Sequence, residues 1–197
     1  MPISEQRRRD LVNAAISSIA QHGYQNVTVK TICEAAGFSR GLIGHYFLGK
    51  EALLLEAARQ LAEEFRDITR DAANLAGAQP ADRLRAVLSS CFRPPMFTVG
   101  RISVWVALAG TARWSPSVAE IYRELRLEFR QVLSRLIARA ADDRAVAVNA
   151  ARAALTVAQM VEGFWVGWVA DEAAVSPAEA ESACQDYLAL LLAPASQ

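Results

Sequence analysis

The sequence predicts an all-α protein in which an N-terminal three-helix head with a helix-turn-helix is joined by a long helix to a larger helical body. Three observations support this prediction. Apolar residues recur at helical spacing along nearly the whole chain, the alternation typical of strands is absent, and a glycine separates two short amphipathic segments near the N-terminus. With 197 residues, 53% of them hydrophobic, the chain is long enough for a small domain and a larger one.

The first 50 residues are predicted to form three short amphipathic helices. The first ends at His22-Gly23, a helix stop signal, and Thr28 and Ser39 are good N-caps for the second and third. In the third helix, Ile43 and Phe47 are predicted to face inward. The residues that this arrangement leaves on the outward surface are Arg40, Gly41, Gly44 and His45.

The remaining helices belong to the long connection and the body. A helix is predicted from about residue 50 to 75, and the next one is broken by Pro94-Pro95. Ser115-Pro116 starts another, with a serine cap and proline at the first helical position. Two further helices are predicted, over about 145–170 and 176–192.

The charge distribution favours a nucleic-acid surface in the head. The formal net charge of the whole chain is zero, but residues 1–50 carry six basic and three acidic groups, a local charge of +3. Both lysines of the chain, Lys30 and Lys50, lie there. The third helix also contains two glycines, each of which costs about 1 kcal/mol relative to alanine in a helix interior, so a reason to keep them is expected.

Several other classes of site are disfavoured by the residue pattern. The segment Gly44–Lys50 has the spacing of a phosphate-binding loop, but Glu51 stands where Ser or Thr would hold magnesium, and no strand precedes it. The three cysteines lie far apart, and the two histidines, His22 and His45, have no neighbouring nucleophile pattern. We therefore expect no catalytic residue, no cofactor and no metal.

The chain is expected to be cytoplasmic. Its N-terminal residues lack the apolar core of a signal peptide. The longest apolar tracts, 163–170 and 187–193, are shorter than the roughly 20 residues needed to cross a bilayer.

The segment Thr28–Lys50, especially Ala36-Gly-Phe-Ser39 and the run Gly41–Phe47, resembles the TetR family of transcriptional repressors. The body resembles the C-terminal part of the BetI-type branch, whose named member is a choline-sensing repressor. The segments that carry this second resemblance are Trp105–Ala109, Ile121–Leu125 and Glu162–Trp165.

The resemblance implies a DNA-binding domain over residues 1–49 and a ligand-binding and dimerisation domain over 50–197. Arg40 is the best candidate for a base contact, because arginine can bond guanine bidentately. Many relatives have a larger side chain at the position of Gly44, so specificity is expected to depend more on Arg40. The residues that the resemblance assigns to DNA are Thr28, Lys30, Ser39, Arg40, Gly41, Gly44, His45, Tyr46 and Lys50.

An aromatic ligand pocket is predicted in the body, because all four tryptophans lie outside the head. Glu162, Trp165 and Trp168 are three residues apart along one predicted helix, and aromatic faces beside a carboxylate suit a quaternary ammonium ion. The alternatives to a ligand site are that the tryptophans only fill the core and that Glu162 pairs with an arginine. The candidate ligand-binding residues are Phe92, Trp105, Tyr122, Glu162, Trp165 and Trp168.

The expected function is that of a ligand-responsive repressor that binds a near-palindromic operator as a homodimer and is released by a small molecule, for example a choline-like cation. The resemblance implies that the dimer interface is formed by a small-residue stripe (Ala147, Ala151, Ala154, Ala158) and an apolar stripe (Tyr187, Leu188, Leu191). The alternative is that these stripes pack only within one chain. The alternatives are an all-α carrier or enzyme that uses the same pocket, an activator, and a TetR-like regulator of efflux that responds to an unrelated hydrophobic ligand.

Overall fold

The computed structural model describes residues 3–23 and 26–194, apart from the side chains of residues 3, 40 and 42, and is helical in every regular element of that part. Its helices are α1 (Ile3–His22), α2 (Val29–Ala36), α3 (Arg40–Tyr46), α4 (Lys50–Leu75), α5 (Pro80–Cys91), α6 (Val99–Thr111), α7 (Pro116–Asp142), α8 (Ala150–Ala170) and α9 (Pro177–Leu191). The all-α prediction is confirmed, and so are the predicted bounds of α4.

The described residues of 3–64 and 99–122 form one compact unit. Within it, α1 packs against α2 and α6, and the buried residues Leu11, Ala15 and Ile19 recur at helical spacing along α1. The Ser18 hydroxyl donates a hydrogen bond to Thr31 Oγ1 at 3.0 Å, which ties α1 to the start of α2.

The N-terminal arginines belong to α1. The Arg8 guanidinium lies 4.9 Å from the centroid of the Phe47 ring and pairs with Glu56 at 2.5 Å. Arg8 therefore holds α1 against the end of α3 and the first part of α4. Phe47 and Glu56 are distant from Arg8 in sequence, so no local pattern indicates these contacts.

The described residues of 65–98 and 123–194 form the second compact unit. Two aromatic clusters lie in its interior, one around Phe65 and one formed by Phe92, Phe97, Phe164 and Trp168. Phe65 makes edge contacts with Phe129 and Trp165, at centroid distances of 5.1 and 6.0 Å.

The division of the chain at residue 50 is not tested by these units and stays a prediction.

A polar cluster ties α5 to α9 inside the second unit. The carboxylate of Glu181 accepts hydrogen bonds from Arg93 at 2.9 and 2.8 Å, from the Ser89 hydroxyl at 2.7 Å and from the Gln185 amide at 3.0 Å. Burial raises the pKa of Glu181, but these hydrogen bonds and the charge of Arg93 outweigh it and lower the pKa below its usual value. The carboxylate is therefore ionised and satisfied at neutral pH.

The start of α8 differs from the prediction. The helix begins at Ala150 and not near Ala145, whose backbone is left-handed with φ 53°, and the Asn149 side chain accepts the cap bond from Arg152 N. Ala147 thus lies outside the helix, while Ala154 is buried in the interior. The predicted stripe of Ala147, Ala151, Ala154 and Ala158 is therefore not one exposed face. Residues 145–148 are all apolar, so they extend the hydrophobic pattern of α8 toward the N-terminus. Sequence periodicity therefore placed the start of the helix too early.

Among the described residues, α8 is the one helix that is long and apolar enough to cross a membrane. Ala153, Val157 and Val161 are nonetheless buried on its inward face. A core helix meets the same criteria, so these criteria alone do not indicate a membrane span.

Candidate nucleic-acid interface and effector-binding residues

The N-terminus of α2 is fixed by a reciprocal cap. The Thr28 hydroxyl accepts a hydrogen bond from Thr31 N at 3.1 Å, and Thr31 Oγ1 accepts one from Thr28 N at 3.0 Å. Thr28 is exposed, and its predicted role as the N-cap of α2 is confirmed. Lys30 in the first turn is exposed, with its ammonium 3.8 Å from the Glu34 carboxylate. This weak surface pair leaves the cation accessible.

The turn between α2 and α3 depends on Gly37. Its backbone is left-handed, with φ 67° and ψ 27°, a conformation that glycine adopts without a Cβ penalty. The amide of Phe38 donates to Cys33 O at 3.0 Å and closes the end of α2. This turn sets the direction in which α3 leaves.

One face of α3 is open to solvent, and the opposite face is buried. Ile43 and Phe47 are buried as predicted. Gly41 and Gly44 are exposed, and a Cβ built on either would meet no atom within 4 Å. The backbone of α3 is thus directly accessible at two positions on its outer face. Arg40 begins the helix, but its side chain lies outside the described residues.

Ser39 occupies the predicted N-cap position of α3 but does not act as a cap. Its side chain makes no capping hydrogen bond, and its carbonyl lies 3.6 Å from Cys33 Sγ. The expectation of a capping serine is wrong in this respect, since a favourable residue type at the N-cap does not by itself orient the hydroxyl. The Ser39 hydroxyl is consequently not hydrogen-bonded to the backbone amides at the N-terminus of α3.

His45 and Tyr46 are the last two residues of α3, and Lys50 is the first residue of α4. The rings of His45 and Tyr46 meet edge to face at 5.0 Å. Lys50 Nζ donates to Val27 O at 2.8 Å, which links the start of α4 to the residue before the α2 cap. An ammonium carries three donors, so Lys50 keeps capacity for a further acceptor.

The candidate effector residues fall into two groups. Trp105 and Tyr122, both in the first unit, have ring centroids 6.2 Å apart. In the second unit, Phe92 lies 6.2 Å from both Phe97 and Phe164. In both cases the aromatic rings pack against one another within a single compact unit.

Trp165 and Trp168 are held in the core of the second unit. Trp165 Nε1 donates to Cys91 O at 3.0 Å, and the Trp168 ring lies 4.7 Å from that of Phe97. Both rings are buried. The alternative that these tryptophans fill the core is therefore the one with structural support.

Glu162 is not the buried, unpartnered carboxylate that the cation hypothesis favoured. Its Oε2 lies 3.1 Å from Arg126 Nη2, and its side chain is 26% exposed. Arg126 also hydrogen-bonds the Gln159 side chain. Arg126 and Glu162 are 36 positions apart on different helices, so the sequence pattern contained no signal for this pair.

Sequence reasoning also missed a cavity of about 300 Å³ in the second unit, between the latter half of α4 and α7. Arginines stand on its rim at i,i+4 spacing on both helices, Arg66 and Arg70 on α4 and Arg135 and Arg139 on α7. This spacing was visible in the sequence. It was not informative without knowledge that the two helices enclose a cavity.

Two protein families match the chain. The family of bacterial regulatory proteins called tetR matches residues 11–64, and the BetI-type transcriptional repressor C-terminal family matches residues 80–193. The HTH-type transcriptional regulator BetI of Agrobacterium fabrum is 33% identical over 192 residues, which cover 94% of this chain and 88% of that protein. BetI of Brucella canis is also 33% identical, over 187 residues that cover 94% of this chain and 91% of the relative.

Solved structures share the fold. A protein from Pseudomonas aeruginosa PAO1 described as a transcriptional regulator superposes with a TM-score of 0.83 at 26% identity, covering 97% of this chain and 92% of the other. A regulator from Saccharomonospora viridis, solved in complex with choline, gives a TM-score of 0.83 at 22% identity and covers 93% and 96% of the two chains. At that identity the second similarity shows the fold alone.

Proposed function

The chain belongs to the TetR family of transcriptional regulators, as a repressor of the BetI type, and from this premise we propose that the outer face of α3 enters the DNA major groove. The observation that carries the proposal is the open backbone at Gly41 and Gly44, where a Cβ would meet no atom within 4 Å. A helix without side chains at two outward positions can approach base edges closely. The helix-turn-helix docks in this manner, with its second helix in the groove.

The proposed roles follow from the chemistry of each group. Lys30 and Lys50 supply positive charge for phosphates, and the Thr28 end of α2 adds the positive end of the helix dipole. Arg40 is proposed to read a guanine, since only base-edge contacts confer sequence choice. The proposed groove-facing residues are Ser39, Arg40, Gly41 and Gly44. The proposed backbone contacts are Thr28, Lys30, His45, Tyr46 and Lys50.

A homodimer is proposed to bind two half-sites about one helical turn apart in a near-palindromic operator. The support is an apolar outer surface on α8 and α9. Leu155 and Val166 of α8 are 43% and 47% exposed, and Leu190 of α9 is 78% exposed. This surface replaces the alanine stripe expected from the sequence, and Leu188 of the second stripe is buried within the chain. Val166→Glu should give a monomer by light scattering, with operator binding lost.

For the effector, we propose a choline-like cation. The support is the BetI-type C-terminal domain and the choline found in the Saccharomonospora viridis regulator. The Arg126–Glu162 pair bears on this proposal, because Glu162 would have to exchange its arginine for the ligand. An unrelated hydrophobic ligand of an efflux regulator is the second candidate, since aromatic residues suit it equally.

The proposed mode of action is binding without catalysis, in the cytoplasm where the DNA lies. The effector shifts the population of DNA-binding states by no more than its differential affinity for them. Because α4 contributes residues to both compact units, it is the proposed carrier of this coupling. We propose the division into a DNA-binding domain (1–49) and a ligand-binding and dimerisation domain (50–197).

Fluorescence anisotropy on DNA from upstream of the protein's own gene tests the operator proposal. Binding should weaken steeply as salt rises, since phosphate contacts release counterions. Arg40→Ala should lose about 1–3 kcal/mol of sequence discrimination, whereas Arg123→Ala, an exposed arginine on α7, should bind normally. Failure of the wild-type protein to prefer this DNA, or any operator selected from a random duplex pool, would refute the proposal.

Tryptophan fluorescence with choline and betaine aldehyde tests the effector proposal. Choline should alter the emission and release the DNA, and Glu162→Ala should weaken choline binding while leaving operator affinity unchanged. An unchanged spectrum and unchanged DNA binding at saturating choline would contradict the cation proposal and favour the hydrophobic ligand.

A further inference from the structure

The cavity between α4 and α7 has an apolar base and a basic rim. Its volume of about 300 Å³ lies at the lower end of the range for small-molecule sites. The buried residues of its base are Phe65, Leu125, Phe129 and Leu136. The basic residues of its rim are Arg66, Arg70, Arg83, Arg135 and Arg139. This combination is distinct from the aromatic residues considered above for a cation.

Two of the five arginines are neutralised by carboxylates. Arg66 Nε lies 2.5 Å from Glu128 Oε2, and Arg70 Nη2 lies 2.7 Å from Asp67 Oδ1. These pairs contribute little net positive charge to the cavity.

The other three arginines have no carboxylate partner among the described residues. Arg83 Nε donates to Ala73 O at 3.1 Å, a backbone carbonyl near the end of α4. Arg135 and Arg139 make neither an ion pair nor a hydrogen bond within the described part of the chain. Since arginine is always protonated in proteins, three positive charges face the cavity uncompensated.

We propose that this cavity binds an anionic amphiphile, with its carboxylate or phosphate on Arg135 and Arg139 and its alkyl chain on the apolar base. Guanidinium groups bind both anions through paired, charge-assisted hydrogen bonds, and the i,i+4 spacing on α7 places the two side chains on one face. Burial of an alkyl chain on the base adds affinity in proportion to the apolar area covered. A cation with the same chain would meet like charge at the rim. The site stands apart from the operator binding proposed above.

Calorimetric titration of the full chain, without DNA, tests the proposal with four probes below their micelle concentrations. Decanoate and decyl phosphate should both bind, and the ratio of their Kd values identifies the preferred head group. Decyltrimethylammonium has the same chain with the opposite charge, and acetate has the charge without the chain. Both should bind at least about tenfold more weakly, since each lacks one of the two recognised features. Equal affinity for the cation, or no heat with either anionic amphiphile, would overturn the proposal.

A pair of matched double variants locates the site. Arg135→Gln/Arg139→Gln should weaken decanoate binding by about tenfold or more, because charge-assisted hydrogen bonds to the head group are lost. Arg123→Gln/Arg130→Gln removes the same charge from the same helix away from the cavity and should leave the Kd unchanged. Arg135 and Arg139 are exposed, so their substitution should leave the helical circular dichroism spectrum intact. An unchanged Kd in the first variant, or an equal loss in the second, would refute the assignment.

Discussion

Replacement of Gly44 by alanine should separate the stability of this protein from its DNA binding. Gly44 lies in the helix α3 and is exposed. A Cβ at this position meets no atom within 4 Å, so the methyl group causes no clash in the free protein. On DNA the same methyl group would lie between the α3 backbone and the base edges. The substitution is therefore expected to raise stability and lower operator affinity.

The magnitudes follow from helix propensity and from the lost contacts. Alanine is favoured over glycine in a helix interior by about 0.5–1 kcal/mol, and the gain should be smaller here because α3 ends two residues later, at Tyr46. For a chain of this size, 1 kcal/mol corresponds to about 2–4 °C in Tm. A methyl group that prevents one favourable groove contact should weaken the Kd for operator at least about tenfold, or 1.4 kcal/mol.

Urea unfolding and fluorescence anisotropy on operator DNA measure the two effects. Gly110→Ala is the matched control, because Gly110 is also helical and exposed, and a Cβ there also meets nothing within 4 Å. The control should gain stability and bind DNA as the wild type does. If Gly44→Ala is more stable but binds operator with the wild-type Kd, the α3 backbone does not approach the DNA at this point. A loss of stability would instead show that the outer face of α3 is not open.

Three further outcomes are expected. Glu181→Gln should lower the free energy of unfolding by about 1–3 kcal/mol at pH 7. Because the pKa of Glu181 is lowered in the folded state, its contribution is fully present above the ordinary carboxyl pKa of glutamate and is lost as the pH falls through the lowered, folded-state pKa. Urea unfolding over this acid range should thus show a weaker pH dependence of the free energy of unfolding in the variant, and an equal dependence would contradict the Glu181 network. Trp165→Phe should cost about 1–3 kcal/mol in the same assay, since Cys91 O loses its buried hydrogen bond, and an unchanged midpoint would exclude that bond. Lys50→Met should cost about 1 kcal/mol through loss of the bond to Val27 O and should also weaken DNA binding, whereas an effect on stability alone would make Lys50 purely structural.

The agreement between sequence and structure is closest where the signals are local. Thr28 caps α2, Gly37 ends it in a left-handed conformation, and Ile43 and Phe47 face inward. Each of these features depends on residues within about four positions of one another, so periodicity and capping preferences are sufficient to predict them. The assignment of DNA contacts remains a prediction from resemblance and chemistry.

Two of the disagreements arise where a distant residue decides the environment of a side chain. Glu162 looked like an unpaired carboxylate in an apolar segment, but Arg126 lies 3.1 Å away on another helix. Trp165 looked available to a ligand, but Cys91 O accepts its indole hydrogen. No local pattern reports such partners, because helix packing brings together positions far apart in sequence.

The order of amino acids by itself determined the helical class, the helix-turn-helix and the family, since these depend on apolar spacing, caps, a glycine turn and a matching motif. Only the tertiary structure decided which side chains are accessible and which charges are neutralised. Arg66 and Arg135 are both cations in the sequence, yet Glu128 neutralises the first and the second faces a cavity with its charge uncompensated. The physical reason is that electrostatic and packing energies depend on distances through space, which the folded chain alone establishes.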